Sequence, residues 1–207
     1  MVLSVNMSIV AKHKVENCIW APMPSKRYIK KLRENMNGYV NQESKKKKTV
    51  VTWIVNEEVT HILINLNLET YCLPDIYGRG GKWGLPKGKA ESVDKDLKAA
   101  AIREVFEETG YRLDYDYVSS LSINSRGEKK NFICVLKSEC MKNLTRDFVE
   151  YGKEILAIAW VPINDIGTVI PIENCNSSLK SLAKYNKSIH AKLTEFIGKH
   201  KLEAITI

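Results

Sequence analysis

The stretch LKAAAIREVFEETG, residues 97–110, limits the fold more than any other part of the chain. At about 100° per residue, Ala101, Ile102, Val105, Phe106 and Thr109 share one side of a helix, and Arg103, Glu104, Glu107 and Glu108 share the other. Asp94 or Ser92 stands where an N-cap belongs, and Gly110 marks the exit. A helix of this pattern must lay its apolar side on another layer. Its carboxylates are harder to explain. Glu104 pairs with Glu108 at i, i+4 and with Glu107 at i, i+3, and like charges at those spacings cost a few tenths of a kcal/mol each. They also crowd the helix C-terminus, where the dipole disfavours negative charge. A solvated acidic face is one account. A hard divalent cation, which takes oxygen ligands and would neutralise the cluster, is the other.

The segment ahead favours the cation. WGLPKGK, residues 83–89, sets Pro86 and Gly88 in a turn flanked by Lys87 and Lys89. A carboxylate platform beside a cationic, Gly-containing loop suits phosphate chemistry. Around it, TVVTWIV (49–55) and VTHILINLN (59–67) read as a β-hairpin, residues 68–82 as a loop, and 117–124 and 130–138 as strands about a turn at Arg126-Gly127. EILAIAWVPI (154–163) is a further strand, and a single helix follows through Leu179, Leu182, Ile189, Leu193 and Phe196. Strands and helices in this order predict a mixed sheet between helices. Upstream, residues 25–38 read as a short helix and 40–48 as a linker.

The formal net charge is +8, and Lys26 to Lys48 carries most of it: nine basic residues against Glu34 and Glu43. Such a segment attracts polyanions, or serves as a solubilising arm or import signal. No apolar run is long enough for a membrane span, and the N-terminus lacks the basic start of a signal peptide. Five scattered cysteines without a CxxC pair predict reduced thiols in a cytoplasmic or nuclear chain.

GKAESVDKDLKAAAIREVFEETGY resembles the Nudix box, with Arg103, Glu104, Val105, Glu107, Glu108, Gly110 and Tyr111 matching its second half. The resemblance covers about residues 49–165 and implies an α/β/α sandwich that hydrolyses nucleoside diphosphates linked to another group with Mg²⁺ or Mn²⁺. It divides the chain into a basic extension, 1–48, and a Nudix domain with a basic last helix, 49–207. From Gly88 to Arg103 is fifteen positions, one more than the family spacing. The family glutamate that orients the box arginine is therefore replaced by Asp94 or Glu91.

KWGLPKGK with AIREVFEETGY is most similar to the catalytic subunits of mRNA decapping enzymes. That likeness implies metal binding by Glu104, Glu107, Glu108 and Glu154, with Glu107 or Glu154 as general base. Lys87 or Lys89 would stabilise charge on the triphosphate bridge, beside Gly88. It further implies RNA contacts from Lys180, Lys184 and Lys187, with Lys192 a further candidate. The basic segment, with Lys30, Lys31 and Arg33, would replace RNA contacts of the helical domain that usually precedes the Nudix domain, and without that domain the usual activation by a protein partner is not expected. Cap stacking needs an aromatic group: Trp20, Tyr28 and Tyr77 are available, whereas Trp83, like Trp53 and Trp160, reads as core. Two other readings remain: hydrolysis of dinucleoside polyphosphates or inositol pyrophosphates, and a non-catalytic RNA-binding module, which the three box glutamates argue against.

Overall fold

The computed structural model describes residues 18–20, 48–67, 82–122, 129–144 and 155–207. The expected helix at 25–38, the basic segment up to position 47, Tyr77, the turn at Arg126-Gly127 and Glu154 lie outside them, as does the side chain of Trp20.

Eight strands form one mixed sheet among the described residues: β1 (Ile19–Trp20), β2 (Thr49–Asn56), β3 (His61–Asn67), β4 (Trp83–Gly84), β5 (Lys87–Lys89), β6 (Ser119–Leu121), β7 (Lys129–Leu136) and β8 (Ile155–Pro162). The order is β1-β8-β3-β2-β7-β6. Only β2 and β7 run parallel; the other pairs are antiparallel.

The central strands are buried on both faces, so they read as nearly continuous apolar runs rather than alternating ones. Val51, Trp53 and Val55 join one cluster with Leu179, Leu182, Ile189 and Leu193. Val50 and Ile54 join the other with Ala100, Ala101 and Val105. Helix α1 (Leu97–Thr109) thus covers one face, and α3 (Ser177–Lys184) with α4 (Asn186–His200) covers the other, beyond the one-turn α2 (Ile166–Val169). This is an α/β/α sandwich. Trp53, Trp83 and Trp160 are all core residues. No helix among the described residues is long and apolar enough to cross a membrane. Cys134, Cys140 and Cys175 are free thiols buried in the core.

Three local expectations need correction. Asp96, not Asp94 or Ser92, caps α1, its carboxylate accepting from Ala99 N at 2.7 Å. Ile102 and Phe106 are only half-buried, and Glu108 takes a buried place on α1 instead. The last helix breaks at Tyr185, whose φ is −124° and ψ 30°. There the Asn186 side chain takes the Lys187 N–H and donates to the Asn164 carbonyl, and such local bonding competes with the helix.

The feature that positions the site is a split hairpin. β2 and β3 pair at Val55↔Ile62 and then separate, and residues 83–89 fill the wedge between them. β4 pairs with β3 through Asn65↔Gly84 and Leu66↔Trp83; β5 pairs with β2 through Thr49↔Lys89, Val50↔Gly88 and Val51↔Lys87. The Pro86 carbonyl at the crossing accepts from Thr52 N at 2.8 Å.

Candidate active site

Glu108 enters that wedge from α1. It is 7% exposed. Its Oε2 accepts from Asn65 Nδ2 at 2.7 Å and from Lys87 N at 2.9 Å. Oε1 has no hydrogen-bond partner among the described residues. Burial pushes the carboxyl well above its ordinary range and the nearby Glu104 charge adds to this, against the pull of the Lys87 N–H and the Asn65 amide.

Glu104 lies one turn earlier on the same helix, with its carboxyl group over Gly88. A Cβ at position 88 would come within 1.9–2.1 Å of the Glu104 carboxyl atoms. A residue without a side chain is needed there for close approach rather than for backbone freedom.

Arg103 ties these groups to the loop. Its Nε and Nη2 donate to the two Asp94 oxygens at 3.0 Å each, and Nη2 also reaches the Lys89 carbonyl at 3.0 Å. Its Nη1 donates to Glu104 Oε1 at 3.0 Å and Glu107 Oε2 at 2.9 Å. The hydrogen bond from Arg103 is the main reason the Asp94 carboxyl is held below its usual range. Asp94 Oδ2 accepts from Glu91 N as well, so the longer loop folds back on itself to present Asp94. Gly110 ends α1 in the left-handed region at φ 76° and donates its N–H to the Phe106 carbonyl. Just beyond it, the buried Tyr111 hydroxyl donates to the Cys140 carbonyl at 3.0 Å.

Among the described residues no three acidic, His or Cys side chains converge as a ready cation cage. Glu104, Glu107 and Glu108 are held apart here. Arg103 draws Glu107 outward, to 45% side-chain exposure, while Glu108 is held by β3 and β5. The donor set still fits a hard divalent cation. It is all oxygen, it includes a buried carboxylate oxygen with no donor among the described residues, and a second carboxylate lies close enough to raise its pKa.

Residues 46–183 match the NUDIX domain family. The chain belongs to the Nudix family. Two Caenorhabditis elegans proteins are similar to it. The m7GpppN-mRNA hydrolase dcap-2 is 33% identical over 132 residues, 59% of this chain and 15% of that protein. Putative nudix hydrolase 1 is 33% identical over 87 residues, 42% of this chain and 22% of that protein. The matches therefore span a minor part of either relative. Among solved structures, a Nitrosomonas europaea NUDIX hydrolase is 19% identical with a TM-score of 0.46, covering 70% of this chain and 90% of that one.

Of the Nudix box residues, Arg103, Glu104, Glu107 and Glu108 lie on α1, Gly88 on β5, Asp94 in the loop between them and Gly110 at the helix exit. Lys87 and Lys89 join them through the backbone: one donates its N–H to Glu108, the other offers its carbonyl to Arg103. Strand alternation sends their side chains to the Val51 side of the sheet, opposite the side on which Glu104 covers Gly88. Lys180, Lys184 and Lys187 sit on α3 and α4, in the layer opposite α1, and are not brought to the carboxylates. Glu154, Lys30, Lys31 and Arg33 lie outside the described residues. Sequence reasoning missed Asn65. The available signal was an amide set between Ile64 and Leu66 inside the apolar run of HILINLN.

Proposed function

We propose that this Nudix chain removes the 5′ cap of mRNA, giving 7-methylguanosine diphosphate and RNA with a 5′ monophosphate. The observation that carries this is the 33% identity over 132 residues to a protein whose name states that reaction. The buried Glu108 beside Glu104 and Gly88 supplies a site suited to it.

In this reading Glu104 and Glu108, with Glu107 and Glu154, would hold Mg²⁺ or Mn²⁺. Bound there, the cation supplies charge stabilisation on the pyrophosphate and acidifies the attacking water. The remaining work belongs to the chain. Asn65 and the Lys87 N–H fix Glu108 by one oxygen, which keeps the other directed away from its donors. Arg103, braced by Asp94, holds Glu104 and Glu107 in register. Glu107, half-exposed, or Glu154 accepts the water's proton. Lys87 and Lys89 leave β5 on the face opposite Glu104, so no part of this step is assigned to their ammonium groups. The setting would be cytoplasmic or nuclear, where capped RNA is found.

A second reading rests on the loop at residues 86–89, PKGK, which also resembles loops of Nudix enzymes acting on small polyphosphates. Putative nudix hydrolase 1 is as identical as the decapping relative, though over fewer residues. That name states no substrate, and the alternative the loop supports is hydrolysis of dinucleoside polyphosphates or inositol pyrophosphates. Offering capped RNA, diadenosine polyphosphate and inositol pyrophosphate side by side separates the two. Turnover of capped RNA with release of 7-methylguanosine diphosphate is expected; turnover of the small molecules alone would overturn the decapping reading.

A further inference from the structure

At one end of the sheet, three neighbouring strands bring lysines together. Thr49 on β2 lies between Lys89 on β5 and Lys129 on β7, and Val51 lies between Lys87 and Asn131. Register partners share a face, so Lys87, Lys89 and Lys129 project from the same side as Val51 and Asn131. Strand spacing of about 4.8 Å places Lys89 about 10 Å from Lys129, and the rise along a strand places Lys87 about 7 Å from Lys89. All three are exposed, and none is in an ion pair among the described residues. The strand ends β2, β5 and β7 carry no carboxylate of their own here: the residues are Thr49–Val51, Lys87–Lys89 and Lys129–Asn131.

Like charges on neighbouring strands destabilise a sheet, and nothing in the core asks for them. One of the three is also tied down. Lys129 Nζ donates to Ser177 Oγ at 3.3 Å, at the first residue of α3. The α3 end is itself docked to the wedge, because Asn176 donates its N–H to the Trp83 carbonyl at 2.8 Å and its side chain fills the space beside Gly84. Lys129 is thus fixed relative to the loop that holds Glu108. Gly88, between Lys87 and Lys89, carries Glu104 on its other face. A single strand's thickness separates the lysines from the carboxylates.

We propose that Lys87, Lys89 and Lys129 form a subsite for the phosphodiester backbone of single-stranded RNA, taking the nucleotides next to the scissile linkage. The inference rests on the reading of the site as one that acts on capped RNA, and names how the RNA body is gripped. Polar Thr49 and Asn131 floor the shelf, and no aromatic residue among those described is exposed on it, so it engages phosphate charge. Lysines on strand ends also deter sheet-to-sheet association, and the test separates that role from this one.

The experiment measures binding of uncapped, 5′-monophosphate RNA of about a dozen nucleotides by fluorescence anisotropy, in chelator, across a salt series. Each lysine–phosphate contact contributes about 0.7 to the slope of log affinity against log salt on a single strand. Lys129→Gln is expected to lower the slope by about 0.7, and the triple Lys87→Gln, Lys89→Gln, Lys129→Gln variant by about 2. Lys129→Arg should restore the wild-type slope, and Lys199→Gln on α4 should leave it unchanged. An unchanged slope in the triple variant, an equal fall in Lys199→Gln, or no RNA binding by the wild type would each overturn the subsite. Thermal unfolding of each variant shows that it is folded. Cleavage of capped RNA is scored separately. A chain that decaps without these lysines loses the subsite but keeps the function, and a chain that binds through them without decapping does the reverse.

Discussion

Asn65 donates its side-chain amide to Glu108 Oε2 at 2.7 Å, across a gap in sequence that joins the middle of β3 to the last turn of α1. Both residues are buried, at 4% and 7% exposure. An asparagine among core aliphatics and a glutamate on a packed helix face would each be costly alone. Together, with the Lys87 N–H, they hold one carboxylate oxygen and leave the other without a donor among the described residues.

Replacing Asn65 tests that arrangement. Asn65→Val removes a hydrogen bond to a charged group, an interaction of about 1.5–3 kcal/mol, so cation affinity and turnover should fall about ten- to a hundredfold. Manganese titration followed by paramagnetic resonance, beside turnover with a saturating substrate, would record it. Unaltered manganese affinity would remove Asn65 from the site.

Glu108→Gln should separate stability from activity. Burial disfavours the charged carboxyl, so the neutral amide is expected to raise the melting temperature in chelator while abolishing hydrolysis. Manganese should raise the melting temperature of the wild type and not of the variant, because a ligand stabilises only the form that binds it. Calorimetry with and without the cation checks both.

Gly88→Ala should leave the fold and damage the site. The added Cβ meets the flexible end of Glu104 and not backbone, so the carboxylate swings aside. A loss of at least about tenfold in turnover, equivalent to about 1.4 kcal/mol, is expected with a nearly unchanged melting temperature. A large drop in melting temperature with normal turnover in the folded fraction would contradict this.

Asp94 predicts an acid limb in the stability curve. Its folded-state carboxyl lies below its usual range because Arg103 donates to it, so its contribution is complete above the ordinary carboxylate range and is lost as pH falls through the depressed value. Asp94→Asn should lower stability at neutral pH and flatten the decline below about pH 4. Urea unfolding across that range reads both. A variant whose acid limb matches the wild type would assign the limb to other carboxylates.

Much of this fold is legible from local pattern. Helix α1 announces itself by its apolar period and by Gly110, and the β-branched runs of β2 and β8 by composition. Asp94 and Asp96 are chemically alike, and only the fold shows that Asp96 caps the helix at Ala99 while Asp94 serves Arg103. The break at Tyr185 depends on a bond from Asn186 to a distant carbonyl, which helical periodicity cannot register. Periodicity groups Glu108 with Glu104 and Glu107 but not with Asn65 and the Lys87 amide, which come from strands far away in sequence. The same holds for Lys129, which joins Lys87 and Lys89 only through the parallel pairing of β7 with β2.

The most direct test of the central claim is hydrolysis of cap-labelled RNA with Mg²⁺ or Mn²⁺, the products separated by chromatography, with Glu108→Gln as control. The account predicts release of labelled 7-methylguanosine diphosphate, abolished by chelator and by the substitution. Intact capped RNA alongside turnover of diadenosine polyphosphate or inositol pyrophosphate would contradict it.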